Sequence, residues 1–255
     1  MKKYKTGIVL SGGGARGFAH IGVLKALNEN GIFPDIISAV SAGSIVGCLY
    51  ADGHTPDDIY NIMGELEIYK FLRFYRPKLG LLKAEGIRKK LTGNLSVTEI
   101  EELKIPLIIS ATNFTKAQTE YFTTGSIINA VMASSAIPML LKPYMIKGQM
   151  YVDGGLMNNL PVEPLESHCD YIIGVNVNPV REITRFKSFR NFADRVLHVA
   201  IRANVMGNIP KCDMFIEPPG LMDFHLLKVS SSKQIFELGY AHTLKLIEKF
   251  NAGKI

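Results

Sequence analysis

Apolar positions along the chain fall into two periods that take turns. Short unbroken apolar runs, "GIVL" at 7–10 and "IISAV" at 36–40, have the length and β-branched content of buried strands. Between them Phe18, Ile21, Leu24 and Leu27 recur at helical spacing, and Gly31 follows as a stop. "AGSIVGCLYADG" predicts a helix starting after Ser41 and ending near Gly53, and Thr55-Pro56 reads as an N-cap with Pro at N1 of the next. "LSVTEIEEL" holds Ser96 and Glu99 at capping-box spacing. "IPLIISATNF" and "AQTEYFTT" read as a strand and its return, and "SIINAVMASSA" as a helix stopped by Pro138. "YMIKGQMYVDGG" reads as a hairpin turning at Lys147-Gly148, and "YIIGVNV" as a buried strand. Arg190 to Met206 and Ser232 to Phe250 read as long helices, while Lys70 to Lys90 follows neither period.

Strands alternating with helices imply an α/β fold, a three-layer α/β/α sandwich with a mainly parallel central sheet. A length of 255 residues suits one large domain or two small ones, and no repeat, low-complexity block or Pro/Gly/Ser-rich linker divides it. One domain over 1–255 is the economical reading.

Composition changes this little. The chain is 47% hydrophobic and 20% charged with 23 Gly, which is ordinary for a well-cored globular protein. A net charge of +6 is compatible with an anionic surface, but the positives are spread and no zinc-finger spacing occurs, so nucleic acid is not an expected partner. Three distant cysteines, Cys48, Cys169 and Cys212, make neither a metal spacing nor a disulfide framework, which points to a reducing compartment. The apolar run after the basic start is too short for a signal-peptide core, and Ile36–Ala51 falls short of a spanning helix. The expectation is a cytoplasmic protein.

Three segments carry candidate chemistry. "SGGGARG", Ser11 to Gly17, follows a strand and opens a helix, so its backbone amides suit an anion. Gly12-x-Gly14-x-x-Gly17 also fits the dinucleotide fingerprint, but the acid at the expected distance, Asp35, precedes the second strand instead of ending it. An oxyanion hole, a plain tight turn and a nucleotide site remain open, in that order. Ser41 sits among Ala39, Val40, Ala42 and Gly43 at a strand-to-helix junction, where a nucleophile elbow requires small neighbours. A serine capping a buried helix explains it equally well. Asp153 ends an apolar strand before Gly154 and Gly155, and by itself favours an Asp-Gly turn.

In this order "GGGARG", "SAGS" and "DGG", with "ASSAIPMLLKP" and "NNLPV" around the last, resemble the patatin-like phospholipase family. The resemblance runs from about 7 to 167, and 168–255, similar to compact bacterial members, would complete the fold. It implies a hydrolase of lipid or carboxylic esters that works through an acyl-enzyme without cofactor or metal. Ser41 would be nucleophile and Asp153 general base. Gly13 and Gly14 would supply most of the oxyanion hole beside Gly12 and Ala15, with Arg16 in the loop's basic position. Ala39 departs from the family's Gly and adds a methyl to a crowded turn. A catalytically weak lipid binder of the same fold and a nucleotide-binding protein are the alternatives.

Chain order alone leaves a histidine triad open, since His168, His198, His225 and His242 all follow Asp153. His20 reads as a packed or exposed helix residue. The basic and aromatic residues interleaved over 67–91, Lys70 to Lys83 above all, suit either peripheral contact with an anionic membrane surface or a helix with a solvated face.

Overall fold

The computed structural model describes residues 2–64, 85–180, 182, 184–185, 188–226 and 229–252. The basic-aromatic stretch from Lys70 to Lys83 lies outside them.

Among the described residues eight strands form one sheet: β1 (Tyr4–Leu10), β2 (Ile36–Val40), β3 (Leu107–Asn113), β4 (Gln118–Phe122), β5 (Tyr144–Ile146), β6 (Gln149–Asp153), β7 (Cys169–Val175) and β8 (Met214–Ile216). The order is β5-β6-β3-β2-β1-β7-β8, with β4 also on β3. The strands from β3 to β8 along this path are parallel, and β4, β5 and β6 are antiparallel additions. Both predicted hairpins form. The second turns at Lys147 and Gly148, both with positive φ (47° and 77°).

The parallel strands are apolar on both faces, as a doubly covered sheet requires. Ile8 and Leu10, Ile37 and Ala39, Leu107 and Ile109, and Ile173 and Val175 point to the larger core. There they meet α1 (Phe18–Glu29), α2 (Ala42–Asp52), α3 (Pro56–Gly64) and the helices Ile127–Ser134 and Ser232–Asn251. Val9, Ile36, Ile108 and Ile172 point the other way, to a thinner layer from Leu160, Val162, Leu165 and Val205.

One expectation needs correcting, and the doubt about Asp35 is explained. Ser96 does not cap a helix: its Oγ and N donate to Asp52 Oδ1 (2.5 Å) and Oδ2 (2.9 Å), and the short turn Ile100–Glu102 is closed by Glu99 N donating to Glu102 (3.1 Å). The buried carboxylate of Asp52 outcompetes a local cap. Asp35 is a strand-start clasp, its Oδ2 accepting from Lys5 N (3.1 Å) and Thr6 N (2.8 Å). It therefore lies at the amino edge of the sheet, opposite the glycine loop, and cannot serve as the ribose-binding acid of a dinucleotide site.

One register detail positions everything that follows. Ile109 and Ser110 of β3 pair with Ala39 and Val40 of β2 on one edge, and with Phe122 and Tyr121 of β4 on the other. Ala111 to Asn113 keep β4 on that other edge but pair with β6, Asp153 facing Ala111. β2 and β6 thus occupy the same edge of β3, end to end. Where β2 stops at Val40, β6 arrives from the opposite direction and stops at Asp153.

The C-terminal helix Ser232–Asn251 completes the larger core by crossing α1 at backbone contact. A β-carbon on Gly239 would lie 2.2 Å from the Ala19 carbonyl oxygen, and one on Gly22 would lie 2.1 Å from that of Phe236. Gly239→Val should therefore force the helices apart and cost about 1–3 kcal/mol, a fall of roughly 5 °C in Tm by differential scanning fluorimetry. Gly64→Ala, where a β-carbon meets nothing within 4 Å among the described residues, should leave Tm level or slightly raised.

Candidate active site

Ser41 joins β2 to α2 with φ 51° and ψ −123°, a conformation that non-glycine residues avoid. Holding it costs on the order of 1–3 kcal/mol, and the surroundings supply the restraint. Ser41 N donates to Ser134 Oγ (2.7 Å), which in turn donates to the Ser110 carbonyl (2.7 Å). The Ser41 carbonyl accepts from Ser44 N (2.9 Å) and Ser44 Oγ (2.6 Å). Small neighbours are needed because the turn runs against β1: a β-carbon on Gly43 would sit 2.3 Å from the Leu10 carbonyl oxygen. Ala39 fits because its methyl points into the larger core opposite Gly47, where even an added β-carbon would stand 3.4 Å away. Val40 and Ala42 are likewise buried.

The Ser41 hydroxyl makes no helix-capping hydrogen bond. It donates to Asp153 Oδ2 at 2.5 Å. The other carboxylate oxygen, Oδ1, accepts from Gly155 N (2.9 Å) and shapes the turn through Gly154 and Gly155. The Asp-Gly turn and the serine contact thus coexist, one on each oxygen. Asp153 N donates to the Ala136 carbonyl (2.9 Å) and Thr112 Oγ1 donates to the Asp153 carbonyl (3.0 Å), which fixes the backbone. Burial pushes the Asp153 carboxyl up to about 6 from 3.8, against the lowering effect of its two hydrogen bonds.

The glycine loop lies at the carboxyl end of β1, beside both groups. Its amides are not equivalent. Gly12 N donates to Asn159 Oδ1 (3.2 Å), Ala15 N to the Leu226 carbonyl (2.6 Å) and Arg16 N to the Gly13 carbonyl (3.1 Å). Gly13 N and Gly14 N have no acceptor among the described residues. Asn178 Nδ2 donates to the Gly12 carbonyl (2.5 Å), and Ser11 Oγ accepts from Val177 N (3.0 Å). Arg16 is buried and points away, its Nε donating to the Phe224 carbonyl (2.9 Å). Its role here is to tether the loop to 224–226.

Gly12, Gly13, Gly14, Ser41 and Asp153 line one cleft of about 70 Å³, closed by Ile137, Pro138, Leu156, Asn159, Asn178, Val180, His198, Ile201 and Leu226. Sequence reasoning passed over Ser134, Asn159 and Asn178. The first two lie in "ASSAIPMLLKP" and "NNLPV", already conspicuous stretches, whereas nothing local marks Asn178. The histidines separate clearly. His20 is wholly buried on α1 with Nε2 on the Ser11 carbonyl (2.8 Å), and burial lowers it to about 4, so it is a neutral brace for the loop. His168 and His225 are exposed, and His242 sits on the C-terminal helix. Only His198 of the four later histidines reaches the cleft, and the direct serine–carboxylate contact leaves no imidazole between Ser41 and Asp153. The three cysteines are free. Among the described residues no helix is long and apolar enough to cross a membrane.

Residues 8–166 match the patatin-like phospholipase family. Lysophospholipase nte1 of Aspergillus fumigatus is 28% identical over 280 residues, which cover 96% of this chain and 18% of that protein. An NTE family protein of Mycobacterium tuberculosis is 33% identical over 178 residues, 68% of this chain and 49% of its own length. The chain therefore spans about a fifth of the fungal relative and about half of the mycobacterial one. Among solved structures, VipD from Legionella pneumophila is similar with a TM-score of 0.63 at 18% identity, covering 97% of this chain and 67% of that one. Human GIVD cytosolic phospholipase A2 follows with 0.51 at 10% identity, covering 97% and 58%. At such identities the likeness speaks for the fold. The matched segment runs from β1 through the short helix Glu163–Glu166 and contains the glycine loop, Ser41 and Asp153, and on that match the chain belongs to the patatin-like phospholipase family.

Proposed function

We propose that this chain is a serine acyl hydrolase that cleaves lipid or carboxylic esters with Ser41 and Asp153 as its catalytic pair. The observation that carries the reading is the Ser41 hydroxyl, held in a strained turn 2.5 Å from a buried carboxylate, in a cleft also lined by Gly13 and Gly14, whose amides have no acceptor among the described residues. The lysophospholipase relatives support lipid esters as the substrate class. So does the fluorophosphonate inhibitor held by human GIVD cytosolic phospholipase A2.

In this reading Ser41 Oγ attacks the acyl carbon while its proton passes to Asp153 Oδ2. The carbonyl π pair moves to oxygen, where Gly13 N and Gly14 N receive it. Collapse breaks the bond to the alcohol, and Asp153 returns the proton to the leaving oxygen. Water then attacks the acyl-enzyme, gives its proton to Asp153, and the acid departs as Ser41 regains its hydrogen. An ordinary carboxylate is a poor base for a serine. Burial of Asp153 improves its basicity by about 3 kcal/mol, and each oxyanion donor is worth about 3 kcal/mol or more.

A fluorophosphonate probe should label the protein at Ser41, and Ser41→Ala should abolish both labelling and ester turnover. Asp153→Asn should keep the fold, seen as an unchanged circular dichroism spectrum, while kcat falls by at least ~10³-fold. Persistent labelling of the Ser41→Ala protein rules this reading out.

Because Asp153 must be ionised to act as base, kcat/KM on an uncharged ester should fall tenfold per pH unit below about 6. A rate flat down to pH 4.5 would contradict a buried carboxylate base.

Ala39→Gly separates this reading from that of a weakened lipid binder. The methyl packs away from the reacting atoms, so turnover should change less than about threefold while stability drops by about 1 kcal/mol from the lost methyl and the added strand glycine. A turnover rise of a hundredfold would mean the methyl disables the elbow.

A further inference from the structure

The glycine loop and the Asp153 turn come from separate strands, one following β1 and the other β6. Their spacing matters because an acyl carbon attacked by Ser41 needs the loop amides and the carboxylate together. One side-chain oxygen touches both. Asn159 Oδ1 accepts from Gly12 N (3.2 Å) on the loop side. On the turn side it packs against Gly155, where an added β-carbon would lie 2.4 Å from Asn159 Oδ1 and 3.1 Å from Asp153 Oδ1. The other end of the carboxamide, Nδ2, is buried with no acceptor among the described residues. Asn159 is thus kept for its oxygen, at the cost of a buried unpaired donor.

Asn159 lies in the irregular stretch between the Gly154–Leu156 turn and the short helix Glu163–Glu166, so its main chain needs an outside hold. A distant helix supplies it. Asn159 N donates to Asn204 Oδ1 (2.9 Å), and Asn204 Nδ2 donates to the carbonyls of Gly155 (3.3 Å) and Leu156 (3.5 Å). Asn204 stands near the end of Phe189–Met206, about one turn beyond Ile201 on the cleft wall. A carboxamide carries an acceptor and a donor side by side, which is what the two ends of the 155–159 segment require. Asn204 itself is not among the described residues that line the cleft.

We propose that Asn204 is a positioning residue of this site: it clamps 155–159 so that Asn159 holds the glycine loop at a set distance from the Asp153 turn. The assignment rests on the acyl-hydrolase reading and adds to it a residue that acts through Asn159 and Gly155. Its loss therefore falls on the alignment of reacting groups and spares the binding of substrate.

The test measures kcat and KM on 4-nitrophenyl butyrate, with Tm recorded for every protein. Asn204→Ala should lower kcat about 10–100-fold, with KM within about twofold. Asn204→Asp keeps an acceptor for Asn159 N and loses the donor to Gly155, so its kcat should fall between the two. Ser96→Ala, which removes a 2.5 Å hydrogen bond to Asp52 outside the site, should lower Tm and leave kcat within about twofold. In an Asn159→Ala background, Asn204→Ala should cost less than about threefold more, because the link it acts through is already gone. Asn204→Asp taken through the same cycle decides the matter if Asn204→Ala does not fold. A kcat that Asn204→Ala leaves unchanged, or an equal loss with and without Asn159, overturns the assignment and leaves the hydrolase reading in place. Failure of the unchanged protein to turn over the ester overturns both.

Discussion

The arrangement of β2 and β6 on a single edge of β3 is the constraint on which the site depends. Two strands running toward each other in one lane must stop before they collide, and they stop one pairing position apart, at Ser110 and Ala111 of β3. The residue that ends one is Asp153, and the residue just past the end of the other is Ser41. Their side chains meet because the backbones cannot. The strain at Ser41 follows from the same geometry, since β2 has no room to continue straight and the chain must turn sharply into α2. Ser134 and Ser110 then lock the turn from the flank.

Placing a carboxylate at such a junction has an electrostatic cost that is also its use. Among the described residues the buried Asp153 carboxylate accepts two hydrogen bonds, and no cation is in the group that shifts it. Its pKa in the folded protein lies above the unfolded value, so its contribution favours the fold below about pH 4 and is lost as pH rises through about 6. At neutral pH the fold thus carries an ionised group it would prefer to protonate. That is the state the proposed general base would need: a carboxylate whose affinity for a proton has been raised by its surroundings. The surrounding core, with Ile109, Ala111 and Val152 buried on the adjoining strands, offsets the loss.

Much of this was legible in the chain. The apolar runs and the helical spacing of Phe18 to Leu27 are local signals, and the elements they predict formed close to their expected limits. The glycine loop, the small residues around Ser41 and the Asp-Gly-Gly turn are local too, because each must satisfy a steric demand at its own position. What could not be read is whatever depends on partners far along the chain. Ser96 looked like a cap until Asp52 was near it, and Asp35 looked like a misplaced ribose ligand until its clasp on Lys5 and Thr6 was visible. His198 carries no neighbour in sequence that marks it, since the cleft it lines is built with residues from the loop after β1, the end of β6 and the segment after β7.

The glycine loop shows why distant partners matter for chemistry as well as for fold. A run of flexible glycines by itself would offer amides in many directions, and the entropy of aligning them would be lost at each turnover. Here the loop is gripped at Gly12 by Asn159 and Asn178, at Ser11 by His20 and Val177, and at Ala15 and Arg16 by the carbonyls of Leu226 and Phe224. These contacts occupy the amides on either side and leave Gly13 and Gly14 as the two without an acceptor among the described residues. In the proposed reaction a donor pair fixed in this way would need no reorganisation when negative charge arrives. The segments that do the fixing include residues beyond the family match at 166, so the last third of the chain is not a passive cover. It holds Asn178, Phe224 and Leu226 against the loop, and it supplies the helix that carries His198. The alignment of the two free amides is therefore a property of the whole sheet, set by contacts that span the chain from Ser11 to Leu226.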